Sequence, residues 1–290
     1  MTDPDFTLRI AHPSERQLFA DWAAAEGWNP GAADLDCFWA QDPDGFFLGL
    51  LRDQPLACIS VVNYGAGFAF LGFYIVRPEA RGRGLGLATW TAALAHAGTR
   101  VVGLDGVVAQ QDNYAKSGFA LAHRNLRYGG MTTAPGRLDP ALVALDPACD
   151  PRLAAALVDY DASCFPADRP AFLAAWLAAP GHVGRALVRD GTLCGFGVAR
   201  RCRDGVKLGP LFADTRRDAE ALVDGLLAGV GAAAVAGPVF LDVCAPHTAA
   251  VALAEGRGLA PCFETARMYT GPIRPLRPER IFGIASFELG

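Results

Sequence analysis

The chain has 290 residues, enough for one large domain or two of ordinary size, and 52% hydrophobic with 19% charged residues supplies an ample core. A net charge of −4, with no basic run outside residues 77–83 and Arg200-Arg201-x-Arg203, speaks against nucleic acid as a partner. The acidic start Met1-Thr2-Asp3-Pro4-Asp5 has no apolar signal region, and the longest uncharged run, Gly225 to Leu241, is too short and too glycine-broken to span a membrane. Eight cysteines without a C-x-x-C or paired histidine spacing argue against a zinc site or any other metal, and favour a reducing, cytoplasmic setting.

In chain order, Phe6 to Ile10 alternates like an opening strand, and Ser14 to about Glu26 carries Leu18, Phe19 and Trp22 on one helical face. A turn at Gly27-Trp28-Asn29-Pro30-Gly31 leads to a second helix over 33–40. Phe46–Arg52, Ala57–Tyr64 and Phe68–Val76 read as three strands of an antiparallel meander. A glycine-rich loop and a helix to about Ala97 come next, then a strand at Val101–Leu104, a helix at Asp112–Lys116 and a strand at Phe119–Tyr128. The breaker-rich stretch from Gly129-Gly130 through Gly136 to Pro140 marks a domain boundary, giving units of residues 1–135 and 136–290. Arg200-Arg201-x-Arg203 reads as an exposed hairpin.

The informative loop is Arg77-Pro78-Glu79-Ala80-Arg81-Gly82-Arg83-Gly84-Leu85-Gly86, between a strand and an Ala/Leu-rich helix. Backbone N–H groups at a helix N-terminus suit phosphate, and glycine lets that backbone approach closely. The G-x-G-x-x-G frame fails on Leu87 or Thr89, and no GK[ST] follows. What remains, Arg81-x-x-Gly84-x-Gly86 after Val-Arg-Pro, resembles the pyrophosphate loop of the GNAT superfamily of acyl-CoA-dependent N-acyltransferases. Asn113-Tyr114-Ala115-Lys116-Ser117-Gly118-Phe119 matches a second motif of that family, a tyrosine a few residues before Gly-Phe. The resemblance spans residues 5–130.

An internal repeat extends it. Trp39 and Trp176 stand 137 positions apart, as do Leu71-Gly72 and Leu208-Gly209, and Asp105 and Asp242. Beyond Asp242 the offset becomes 140, aligning Gly118-Phe119 with Gly258-Leu259 and Arg127 with Arg267. Arg81 to Gly86, however, falls on Asp218 to Val223, where the glycines are gone and both arginines have become acids, and Tyr114 falls on Ala254. Such a tandem with a degenerate second half is similar to the YitH-like acetyltransferases. The fold class implied is α/β (α+β): tandem GNAT folds, each a mixed, mostly antiparallel twisted sheet flanked by helices.

The resemblance implies acetyl-CoA as co-substrate, bound by Arg81, Gly82, Arg83, Gly84, Leu85 and Gly86. A backbone N–H of Ile75 or Val76, where two strands splay, would stabilise the tetrahedral oxygen, and Tyr114 would be the general acid for the thiolate. Aminolysis also needs a neutral amine, since an alkylamine of pKa about 10 is mostly protonated at neutral pH. No carboxylate lies in Gly72–Val76, so the base is open between Asp105 (also a plausible turn-former), Asp112, Asp36, His96, His123, the carboxylate of Gly290 and water. The expected function is an N-acetyltransferase acting on a small-molecule primary amine, as a monomer or homodimer. The competing reading is a non-catalytic acyl-CoA sensor or interaction module, which would need the loop but not Tyr114. Acids at 34, 36, 42, 44, 105 and 112 suit either a cationic acceptor or a solvated surface.

Overall fold

The computed structural model describes residues 5–132, 135–146, 150–231 and 236–290. The first half runs β1 (Phe6–Ile10), α1 (Arg16–Ala25), α2 (Asp34–Gln41), β2 (Phe46–Leu51), β3 (Gln54–Tyr64), β4 (Phe68–Val76), α3 (Leu85–Leu94), β5 (Val101–Val107), α4 (Gln111–Lys116) and β6 (Ala120–Gly130). The second half repeats the plan with β7 (Leu142–Leu145), α5 (Pro151–Cys164), α6 (Pro170–Ala178), β8 (His182–Arg189), β9 (Thr192–Arg201), β10 (Val206–Ala213), α7 (Arg216–Val230), β11 (Val239–Cys244), α8 (Thr248–Gly256) and β12 (Ala260–Tyr269). A short β13 (Ile281–Gly283) opens a buried tail. No helix among the described residues is long and apolar enough to cross a membrane.

Strand alternation distributes the core between two faces. Phe68 and Phe70 of β4 join an aromatic cluster with Phe19 of α1, Phe38 of α2 and Phe172 and Trp176 of α6. Ala69 and Leu71 face the other way, toward Trp90 of α3 and Tyr114 of α4. The halves meet on the first face, where Phe38 stacks on Phe172 at 5.8 Å and on Trp176 at 5.6 Å. Apolar burial of this kind contributes about 25 cal/mol per Å², so these rings give the junction an apolar core.

The sheet order is β1-β2-β3-β4-β5-β12-β6-β11-β10-β9-β8-β7, with β13 added against β10. The two expected sheets are therefore one, because the halves exchange their last long strands. β12 pairs antiparallel with β5, and β6 with β11, while β6 and β12 lie side by side in the middle.

Two crossed ion pairs fasten the exchange. Asp105 on β5 faces Arg267 on β12, with Nε–Oδ1 at 2.9 Å and Nη2–Oδ2 at 2.5 Å. Asp242 on β11 faces Arg127 on β6 in the same bidentate way, at 2.7 and 2.8 Å. The repeat kept these residues because each half supplies one acid and one arginine. β5 runs past its expected end at Leu104, so Asp105 sits inside a strand; it is neither a turn-former nor a base with a free carboxylate.

A third pair corrects another expectation: Arg200 is fully buried, bound to Asp34 at 3.0 Å and to the carbonyls of Gly209 and Ala285, while Arg201 and Arg203 are exposed. Asp34 is therefore not part of an acidic surface.

Asp105→Asn leaves the Arg267 guanidinium buried without a counter-charge. We expect a loss of roughly 3–5 kcal/mol in urea unfolding. Removing both charges, as Asp105→Leu with Arg267→Met, should recover a large part of it.

Candidate active site

β4 and β5 run parallel only from Phe68/Val101 to Leu71/Leu104 and then separate. The separation coincides with a β-bulge. Ser60 pairs with Gly72 and Cys58 with Ile75, so Phe73 and Tyr74 oppose the single residue Ile59, and Phe73 takes φ +47°. Past the bulge, Arg77 N–H bonds to Leu56 O on β3 at 2.9 Å. Amides alternate along a strand, so the Val76 N–H lies on the opposite edge, toward the gap, and the Ile75 N–H lies toward β3. The backbone N–H edge of Val76 thus borders a cavity of about 500 Å³ between the diverging strands.

The glycine loop closes one end of that cavity. Gly82 and Gly84 have φ of +75° and +77°, which L side chains rarely adopt, and Gly84 is the N-cap of α3 with no side-chain hydrogen bond to the helix. Gly86 is needed for closeness: a Cβ there would lie 2.6 Å from the Tyr74 hydroxyl. Arg81, about half exposed, lies along the strand edge, its Nε donating to Val76 O at 2.9 Å and its Nη2 to Glu26 at 2.5 Å. It fixes the loop to the strand edge. Arg83 lies on the exposed side of the loop, and Leu85 is 1% exposed in the core, so only its backbone is available to a ligand. An uncapped helix start, positive-φ glycines and a free strand edge fit the diphosphate and amide-bearing arm of an acyl-CoA.

The equivalent place in the second half is filled by the protein itself. α7 is capped by Thr215, whose Oγ1 accepts from Asp218 N at 3.2 Å, and Asp218 also binds Arg189 at 2.8 Å. The start of α7 is thus occupied by the chain's own hydroxyl and carboxylate. β10 separates from β11 after Leu208, but β13 lies in the gap and pairs with Leu211 and Phe212.

From there the tail crosses to the first half. Its passage explains two glycines that the repeat shares: a Cβ on Gly209 would lie 2.3 Å from Ile284 O, and one on Gly72 only 1.7 Å from Glu288 O. Phe287 and Glu288 thereby line the first-half cavity. Arg127 lies 4.7 Å from the Phe287 ring centroid, a contact that holds the tail against β6, and it also donates to Trp28 O at 2.6 Å.

Tyr114 lies on the opposite wall. Its ring stacks on Trp90 at 5.5 Å and packs where a Gly106 side chain would be, 2.1 Å from such a Cβ. Burial, and then Tyr74 nearby, push its pKa up to about 12. Its hydroxyl has no hydrogen-bond partner among the described residues.

The other base candidates are elsewhere. His96 bonds Asp42 at 2.8 Å, and Asp36 pairs with Arg16 at 2.7 Å on the surface. His123 on β6 is pushed down to about 4 by burial and then by Arg267, which makes it a weak base. Asp112 is exposed in the first turn of α4. Gly290 is sealed against Phe70 and Phe165, its carbonyl accepting from Arg169 at 3.2 Å. None of these lines the cavity. Glu288, which the strand and loop motifs did not reveal, does. Among the described residues no group of three or more His, Cys, Asp and Glu could hold a metal.

Comparison with known proteins bears on the family and the fold. Residues 12–119 match the model of the acetyltransferase (GNAT) family, and residues 157–283 that of an acetyltransferase (GNAT) domain. The holothin acyltransferase of Pseudoalteromonas sp. is 32% identical over 290 residues, covering 98% of this chain and 95% of that protein. The chain belongs to the GNAT acetyltransferase family. It is a tandem GNAT acyltransferase. Its fold is shared, at TM-score 0.83 and 20% identity, with a Pyrococcus horikoshii protein described as a candidate acetyltransferase, covering 100% and 98% of the two chains. A tandem GNAT protein from the clavulanic acid biosynthesis pathway matches at TM-score 0.66 and 14% identity, covering 92% and 99%.

Proposed function

We propose that this GNAT protein is an N-acetyltransferase that moves the acetyl group of acetyl-CoA to a small-molecule primary amine by direct attack on the thioester. Residues 1–135 would carry the chemistry, and residues 136–290 would be a degenerate unit that shapes the acceptor side. The observation that carries the proposal is a single cavity bordered by the Val76 edge, the Arg81–Gly86 loop and Tyr114, with each counterpart in the second half lost or filled.

In this reading the diphosphate rests on the amides of Gly82 to Gly86, and Arg81 holds that loop against Val76. The Val76 N–H donates to the thioester oxygen as it gains negative charge, an interaction worth several kcal/mol when it strengthens toward the transition state. The Tyr114 phenol protonates the departing thiolate; with its pKa pushed up to about 12 it keeps that proton throughout the range in which an amine deprotonates. The exchange of β6 and β12 already joins two units within one chain, which supports a monomer as the working form.

The test is thiol release from acetyl-CoA across amino acids, polyamines, aminoglycosides and holothin, with mass spectrometry of the acceptor. Amine-dependent release with an acetylated product is expected. Tight acetyl-CoA binding without transfer to any amine would contradict the proposal and favour a sensor.

A further inference from the structure

On the reading that this site acylates amines, we infer that Glu288, delivered by the tail from the far end of the chain, is the base that deprotonates the acceptor amine.

Glu288 is 3% exposed and lines the cavity, yet it forms no ion pair among the described residues. Its Oε1 is buried and has no hydrogen-bond partner there, whereas its Oε2 is held by the Ser286 hydroxyl, which also accepts from the Glu288 N–H at 3.0 Å. One oxygen is fixed and the other is left over. A buried carboxylate oxygen without a partner is costly in a folded protein, which calls for a ligand that donates to it. An ammonium acceptor is such a donor.

The position is built rather than incidental. Gly72 precedes the bulge that opens the gap, and the Glu288 carbonyl occupies the space of its missing side chain, so the carboxylate is registered to the strand that bears Val76. Arg127, tied to Asp242, lies near enough that Glu288 contributes to holding its guanidinium charged: burial opposes that charge, and Asp242 and then Glu288 outweigh it. The other ionisable groups around the cavity are Asp105, Tyr74, Tyr114, and Arg81 with Glu26 at the loop. Asp105 is engaged with Arg267 and Arg81 with Glu26, so Glu288 is the carboxylate in this cavity without an arginine bound to it.

The proton balance closes. The acceptor ammonium gives one proton to Glu288, and the neutral amine attacks the thioester carbon, forming the C–N bond. The C–S bond then breaks, and the thiolate takes the proton of Tyr114. The second proton on the new amide nitrogen returns Tyr114 to its phenol form. Glu288 releases its proton to solvent as product leaves.

Glu288→Gln keeps the shape and the Ser286 contact but removes the basicity. With the best acceptor from the amine panel, kcat/KM should fall about 100-fold near neutral pH and recover as pH rises toward the amine pKa, while the acetyl-CoA Kd stays unchanged. Glu288→Asp, which keeps a carboxylate, should retain the wild-type pH dependence at reduced rate. If Glu288→Gln does not fold, Ser286→Ala carries the test, with a several-fold loss in kcat and unchanged acetyl-CoA affinity. A Gln variant, or failing that a Ser286 variant, within threefold of wild type and with the same pH profile overturns the assignment. Wild-type protein that binds acetyl-CoA but acylates no amine would instead count against the function itself.

Discussion

Arg81→Glu combined with Gly84→Asp is expected to abolish acetyl-CoA binding while leaving the fold intact. The two changes act on different parts of the loop. An aspartate at φ +77° must adopt the left-handed region, at roughly 1–2 kcal/mol, and it adds a negative charge at the start of α3, where the diphosphate would sit. Repulsion between unit charges about 4 Å apart is worth ~1 kcal/mol in bulk water and ~4 kcal/mol near a protein surface. Glutamate at 81 loses the donor that holds Val76 O and faces Glu26 with like charge. Together they should remove about 4 kcal/mol or more of binding, a factor of about 1,000. The unfolding midpoint should fall by only a few degrees, from the strain at position 84 and the lost Arg81 contacts, because Arg81 is about half exposed and Gly84 is exposed, so no core packing is removed. Retention of wild-type affinity by this double variant would refute the loop assignment.

Tyr114→Phe is the second large expected effect. Phenylalanine keeps the stack on Trp90 and the contact with Gly106, so the wall of the cavity is preserved. Only the hydroxyl is lost, and with it the proton that the proposed mechanism gives to the thiolate. We expect kcat to drop by about 100-fold, with an acetyl-CoA Kd within twofold of wild type. The wild-type profile should show no descending limb from Tyr114 up to the amine pKa, since its phenol is pushed up to about 12. Turnover unchanged in Tyr114→Phe would remove the acid role.

The parts of the site legible in the sequence are those built from neighbouring residues. The strand, the Arg81-x-x-Gly84-x-Gly86 loop and the Tyr114 turn each depend on local backbone chemistry, and each lies on the cavity wall. The bulge at Phe73 and Tyr74 leaves no mark in composition, so the choice between the Ile75 and Val76 amides needed the strand register.

What the sequence concealed was contact between distant segments. The repeat identifies two copies but not which copy's strand completes which sheet; the exchange of β6 and β12 shows only in the pairing. Asp105 resembled a turn residue because its partner, Arg267, belongs to the other half. Arg200 resembled a surface cation for the same reason, its partner being Asp34. Glu288 went unnoticed because the strand before the loop has no carboxylate, and the tail supplies one instead. Two signals pointed there: an apolar run from Ile281 to Phe287, and Gly72 and Gly209 repeated in strands with no turn to explain them.

The central claim is that the chain keeps one working acyl-CoA site, in its first half. Calorimetric titration with acetyl-CoA tests it most directly. One site per chain is expected, lost in the Arg81→Glu/Gly84→Asp variant. Two sites per chain, or one site that survives that variant, would contradict it.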